Sequence, residues 1–151
     1  MDIKFSIAKR EHLESIVNLL KNDFLGKNRQ DDCIENYNDA WDKIENDVNN
    51  NIVIGILNQE VICCAQITYI PGLTYSGKAR LQIEGVRVID SLTGKGVGKL
   101  LFDYIEKIAR NKNCILLQLT TDKLREEATN FYNKIGYKAS HIGMKKKLLQ
   151  N

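Results

Sequence analysis

Thr93-Gly94-Lys95-Gly96-Val97-Gly98-Lys99 is the stretch of this 151-residue sequence whose residue types and spacing point most directly to chemistry. Glycines at alternate positions leave backbone N–H groups uncovered. Val97, Leu100, Leu101, Tyr104, Ile105, Ile108 and Ala109 then follow at three-and-four spacing, so the glycines open an amphipathic helix. A helix N-terminus carries about half a positive charge and presents unpaired N–H groups, which together favour a phosphate. The segment therefore reads as an anion cradle. It is not a Walker loop, because Leu100 follows Gly98-Lys99 and Thr93 stands where the first glycine should be. It is not a dinucleotide fingerprint either, since Lys99 occupies the place of the third glycine.

Immediately before the cradle, Ala79 to Ile89 reads as a strand. Leu81 and Ile83 share one side of it while Arg80, Gln82 and Glu84 share the other. A polar row on a strand expected to be covered on both faces suggests a cleft.

The elements that must hold these residues follow from periodicity. Ile3, Phe5 and Ile7 alternate with polar neighbours as a half-buried strand. Leu13, Ile16, Val17, Leu20 and Phe24 mark a helix, and Ala40, Trp41, Ile44 and Val48 a second, short one after the polar stretch 26–39, read as a loop. Residues 52–57 and 61–69, joined at Asn58-Gln59, form a hairpin that ends at Pro71-Gly72. A strand at 114–120, a helix at 125–135 and a closing strand or hairpin at 137–148 complete the chain. The expectation is a single α/β domain of α+β character over 1–151: a mixed, mostly antiparallel sheet of six to seven strands flanked by about four helices.

Composition narrows the function classes. Lys and Arg number 22 against 19 Asp and Glu, so a net charge of +3 argues against a nucleic-acid binder. With 43% hydrophobic residues the chain can build a core. No apolar run is long enough to cross a bilayer and the N-terminus opens no signal peptide, which implies a cytoplasmic protein without a membrane partner. Cys33, Cys63, Cys64 and Cys114 show no metal spacing, so no metal is expected and the thiols read as reduced. His12, expected to be exposed, and His141 lie outside any motif.

The loop resembles that of the GNAT superfamily of N-acetyltransferases, whose acetyl-CoA loop reads Gln/Arg-x-x-Gly-x-Gly/Ala between the fourth strand and the third helix. Gly96 and Gly98 fill the glycine places and Thr93 stands where Gln or Arg is usual. A second block, Ala128-Thr129-Asn130-Phe131-Tyr132-Asn133-Lys134-Ile135-Gly136-Tyr137, is similar to the family's Ala-x-x-Phe/Leu-Tyr-x-x-x-Gly-Phe/Tyr signature, with Arg125 where an Asn is often found. The resemblance implies acetyl-CoA as cosubstrate. Thr93, Gly94, Lys95, Gly96, Val97, Gly98 and Lys99 would hold its pyrophosphate, the main chain of Val86 and Val88 would pair with the pantetheine arm like an extra strand, and Arg125 would lie by the cofactor arm.

The same resemblance gives Tyr132 the role of acid toward the leaving thiolate. Acetylating an amine at pH 7 requires a neutral nitrogen, although an alkylamine has a pKa near 10. Glu84 is the candidate base; the alternative for it is an ion pair with Arg80. The Val86 amide would face the thioester oxygen, an interaction worth about 3 kcal/mol. Tyr137-Lys138-Ala139-Ser140-His141 is similar to the end of aminoalkylphosphonate N-acetyltransferases, which would call for an anionic small amine countered by Arg80 or Arg87. The expected partner is thus a small-molecule amine, with room for a homodimer at exposed sheet edges. A protein or peptide N-acetyltransferase, with 26–39 forming an open groove, and a non-catalytic acyl-CoA sensor are the alternatives.

Overall fold

The computed structural model describes residues 1–21 and 34–148, which form two compact units, Met1–Leu119 and the chain from Thr120 onward. The first contains β1 (Lys4–Ile7), a 3₁₀ turn at Arg10–His12, α1 (Leu13–Lys21), α2 (Ile34–Glu45), β2 (Asn50–Leu57) and β3 (Glu60–Ile70). It continues through the one-turn α3 (Thr74–Gly77), β4 (Arg80–Val88), a 3₁₀ turn at Asp90–Leu92, α4 (Val97–Asn111) and β5 (Leu116–Leu119). The second unit contains α5 (Glu126–Lys134).

The strands lie side by side in the order β1-β2-β3-β4-β5. Neighbours are antiparallel except β4 and β5, which are parallel, so the sheet is mixed and mostly antiparallel as the sequence implies. Asn58 and Gln59 both take positive φ, 50° and 69°. That is the pair of conformations a tight two-residue hairpin needs to match the strands' twist. Val53, Cys63, Ala65, Ile67, Leu81 and Ile83 are buried on one face of the sheet. Against this face packs α4, whose Val97, Leu101, Phe102, Ile105 and Ala109 are buried and whose Tyr104 stacks on Phe5 at 5.5 Å. On the opposite face Ile54 and Cys64 join Leu13, Ile16 and Val17 of α1 and Trp41 of α2 in a second apolar cluster.

Three expectations are corrected. The sheet has five strands among the described residues, not six or seven. Residues 137–148 carry no ladder pairing, and Ile142, Met144 and Leu148 are exposed. Alternation along a chain sets which way side chains point; it does not supply a backbone partner. The second helix begins at Ile34 instead of Ala40, because Tyr37, Trp41 and Ile44 form one apolar stripe at helical spacing while Glu35, Asn36, Asn38 and Asp39 face away from it. It ends at Glu45, leaving Val48 exposed. Of the loop expected over 26–39, residues 26–33 lie outside the described residues.

Gly55 is required by space. A Cβ there would lie 2.5 Å from Cys63 Sγ and 2.9 Å from Phe5. Gly55→Ala should therefore cost about 1–3 kcal/mol, seen as a lower urea midpoint with unchanged slope. Burial also raises the thiols: Cys63 to about 11, and Cys64 to about 12, where the Cys63 thiol adds to the effect of burial. The fold thus holds protons that the unfolded chain releases near pH 9. Stability present below that pH should fall as pH rises from about 9 toward 11, by up to ~1.4 kcal/mol per unit per thiol. Cys64→Ala should flatten that slope in urea titrations at pH 8, 9 and 10, whatever it does to the absolute stability.

Candidate functional site

The site begins with a break in the sheet. Along β4, Arg80 to Ile83 pair with Leu116 to Leu119 of β5, and the ladder stops there while β4 runs on from Glu84 to Val88. The change occurs at a bulge. On β3, Cys64 and Gln66 oppose Arg87 and Glu84, so β4 carries one residue more than its partner between them. Gly85 takes φ 58°, the left-handed conformation that lets a bulge kink the strand. Beyond it the Ile89 N–H bonds to Ile62 O of β3 at 2.8 Å. Strand alternation therefore turns the Val88 N–H, and by the same step that of Val86, toward the edge that β5 has left. The Arg87 guanidinium folds back along the strand, its Nη1 donating to Val86 O at 2.7 Å.

After Val88 the chain makes the 3₁₀ turn and enters the glycine segment. Gly94 and Gly96 take φ 76° and 85°, with Gly96 as the residue capping α4. Side chains would be strained at both, and a Cβ built on either meets nothing within 4 Å, so the space above them is open. Thr93 N–H and Lys95 N–H are used inside the turn, donating to Asp90 O and Leu92 O. The N–H groups of Gly94, Gly96, Val97, Gly98 and Lys99 have no acceptor among the described residues, and no side chain caps the helix. No acidic residue lies in the first turn of α4. Lys99 reaches along the helix to Asp103 at 2.7 Å and stays largely exposed. The predicted cradle is thus a cluster of free donors at a positive helix end, in line with the unpaired edge of β4.

Glu84 lies just ahead of the bulge, exposed, opposite Gln66. The Arg80 ion pair considered for it is not formed, and Glu84 has no ion-pair partner among the described residues. Gln82 shares the Glu84 face of β4 and accepts from Gln118 Nε2 at 2.7 Å. The sequence reading found the β4 row but missed two features. One is Gly85, whose signal was a lone glycine inside a strand pattern. The other is the continuation of the polar row onto β5 through Gln118, which single-strand periodicity cannot show. His12, expected to be exposed, is half-buried and accepts the Lys9 N–H on Nδ1 at 3.0 Å.

In the second unit Arg125 is the capping residue of α5, its carbonyl accepting from the Thr129 N–H and hydroxyl. Tyr132 is half-buried on α5, edge-on to Phe131 at 5.3 Å and to Tyr137 at 6.0 Å. The Tyr137 N–H donates to Tyr132 O at 2.9 Å, tying the end of the helix to the following chain. Among the described residues no group of three or more His, Cys, Asp or Glu is arranged to hold a metal, and no helix is long and apolar enough to cross a membrane.

A glucosamine 6-phosphate N-acetyltransferase from Trypanosoma brucei brucei is 32% identical over 85 residues, 56% of this chain and 56% of that protein, so the match spans about half of the relative's length. A crystal structure of a transcriptional regulator from Bacillus halodurans C-125 is 36% identical and superposes with a TM-score of 0.92, covering 97% of this chain and 99% of the other. Glucosamine-6-phosphate N-acetyltransferase from Arabidopsis thaliana shares the fold at 16% identity, with a TM-score of 0.81 over 98% and 99% of the two chains. Residues 13–137, which take in both the cradle and the Tyr132 block, match the Acetyltransferase (GNAT) family. The chain belongs to the GNAT acetyltransferase family.

Proposed function

We propose that this protein moves an acetyl group from acetyl-CoA to the primary amine of a small molecule by direct attack on the thioester, as one domain acting in the cytoplasm. The observation that carries the reading is the set of unpaired N–H groups at the start of α4, beside the open space above Gly94 and Gly96 and following the unpaired edge of β4. Thr93 to Lys99 hold the pyrophosphate. Main-chain groups of Val86 and Val88 pair with the pantetheine arm, as a strand adds to a sheet edge. The Val86 N–H faces the thioester oxygen, where negative charge develops.

Glu84, directly or through a water, takes a proton from the incoming amine. The freed lone pair forms the new C–N bond as the C–S bond breaks, the Tyr132 hydroxyl gives its proton to the leaving sulfur, and the surplus proton on the acylated nitrogen passes to the Tyr132 phenolate, leaving the neutral amide and coenzyme A thiol. No covalent enzyme intermediate is needed, and the raised pKa values of Cys63 and Cys64 keep those thiols neutral near pH 7. The Trypanosoma brucei brucei relative is named for transfer to a small amino sugar, which favours a small acceptor over a peptide. The Bacillus halodurans relative is called a transcriptional regulator, and a chain that binds acetyl-CoA and turns over no amine would fit that kind of role.

Coenzyme A titrated into the folded protein by calorimetry, followed by thiol release from acetyl-CoA over an amine panel, separates these outcomes. Absence of binding removes the reading; binding without turnover leaves the sensor. Lys99→Glu reverses a charge in the first turn of α4, where a carboxylate suits the helix. Stability should stay within about 0.5 kcal/mol while coenzyme A affinity falls at least about tenfold. Tyr132→Phe should lower kcat by about 10²-fold with the KM for acetyl-CoA within about twofold. Glu84→Gln should lower kcat/KM for the amine at neutral pH, and the deficit should shrink as pH approaches the amine's own pKa near 10.

A further inference from the structure

On the face of the sheet that carries Glu84, one transverse row crosses four strands. Asn50 of β2 opposes Thr68 of β3, Thr68 opposes Gln82 of β4, and Gln82 opposes Gln118 of β5. Neighbouring positions in such a row are about 4.8 Å apart. The next pleat holds Gln66 beside Glu84. All five amide and hydroxyl residues are half-buried, and none belongs to the apolar cluster that α1 and α2 form on this face.

The row is internally oriented. Asp47 carboxylate oxygens accept from the Asn49 N–H at 2.9 Å and from Asn50 Nδ2 at 2.6 Å, which hold that carboxyl below its usual pKa. A carboxylate can only accept, so Asn50 must turn its Oδ1 toward β3. There it accepts from Thr68 Oγ1 at 2.7 Å and from Gln66 Nε2 at 3.2 Å. On the other side Gln118 Nε2 donates to Gln82 Oε1 at 2.7 Å. These bonds fix which atoms are left over. Among the described residues Gln82 Nε2 remains as donor, and Gln118 Oε1 and Gln66 Oε1 as acceptors, all uncharged. Partly buried polar atoms with unused hydrogen-bonding capacity bind water or a ligand that supplies both donors and acceptors. A hydroxyl does both. Along β4 the row lies two residues from Glu84, about 7 Å, so a molecule with its nitrogen at Glu84 would place neighbouring oxygens over Gln82.

We propose that this amide row reads hydroxyl groups on the acceptor, making the substrate a small polyhydroxylated amine instead of a bare alkylamine or a peptide. The inference rests on the acetyltransferase reading and specifies its acceptor. Glucosamine and cyclohexylamine present a six-membered ring with one amine, with and without hydroxyls; because their basicities also differ, it is the change in the ratio of their kcat/KM values on substituting the row, at fixed pH, that isolates the proposal. The protein should favour glucosamine by at least about tenfold. Gln82→Leu and Gln118→Leu should each cut that ratio severalfold to tenfold, while calorimetry with coenzyme A verifies that each variant still folds and binds it.

Equal kcat/KM for the two amines, or a ratio unmoved by both substitutions, overturns the inference and leaves the acetyltransferase reading standing. A short lysine peptide acetylated better than glucosamine overturns it in favour of a peptide acceptor. Failure to bind coenzyme A, or binding with no amine acetylated, brings down the reading beneath it and the inference together.

Discussion

The arrangement depends on β4 being wanted by two neighbours and held by one along its second half. Backbone N–H and C=O groups in a sheet interior need partners. Up to Ile83, β4 finds them on both sides; from Glu84 onward β5 is gone and only β3 remains. An unsatisfied strand edge inside a protein is a cost unless something extended occupies it, and the pantetheine arm proposed for it has that form. Gly85 is what makes the departure possible, because only a residue tolerant of positive φ can insert the extra unit that kinks β4. The free donors at the start of α4 follow within a few residues, so the same stretch that loses its strand partner carries the groups proposed to hold the pyrophosphate.

The sequence was most legible where main-chain geometry is at stake. Free backbone donors require the absence of side chains, and absence has a signature: Gly94, Gly96 and Gly98 stand out in any composition. Elements with strong periodicity, such as α4 and the β2–β3 hairpin, were equally legible because one face of each must be buried. The C-terminal stretch misled for a related reason. Its apolar Ile142, Met144 and Leu148 among polar neighbours look strand-like, yet pairing is a non-local property that no window of residues contains. The start of α2 was misjudged because its polar residues hid a stripe of only Tyr37, Trp41 and Ile44.

The acceptor face shows the opposite limit. Arg80, Gln82 and Glu84 were visible as an unusual row on one strand, but Asn50, Thr68 and Gln118 join it only through strand order and register. A one-residue slip in any of those pairings would send the side chains to the other face. Asp47 contributes from outside the sheet, and its effect is to fix the amide orientation of Asn50. None of this has a local sequence motif.

The two halves of the site therefore differ in what holds them still. Val97, Leu101 and Ile105 are 1%, 0% and 0% exposed, so the first turn of α4 is clamped to the buried face of the sheet and its N–H groups cannot shift without disturbing the core. The amide row has no such anchor beyond its own hydrogen bonds and the strand backbone. A substitution at Gln82 or Gln118 changes what is presented to the acceptor while leaving the main chain, and with it the cradle and the edge of β4, in place. On the proposed reading that separation would let one scaffold keep a common acyl donor and vary the molecule it modifies, with donor recognition written in backbone geometry and acceptor recognition in side chains.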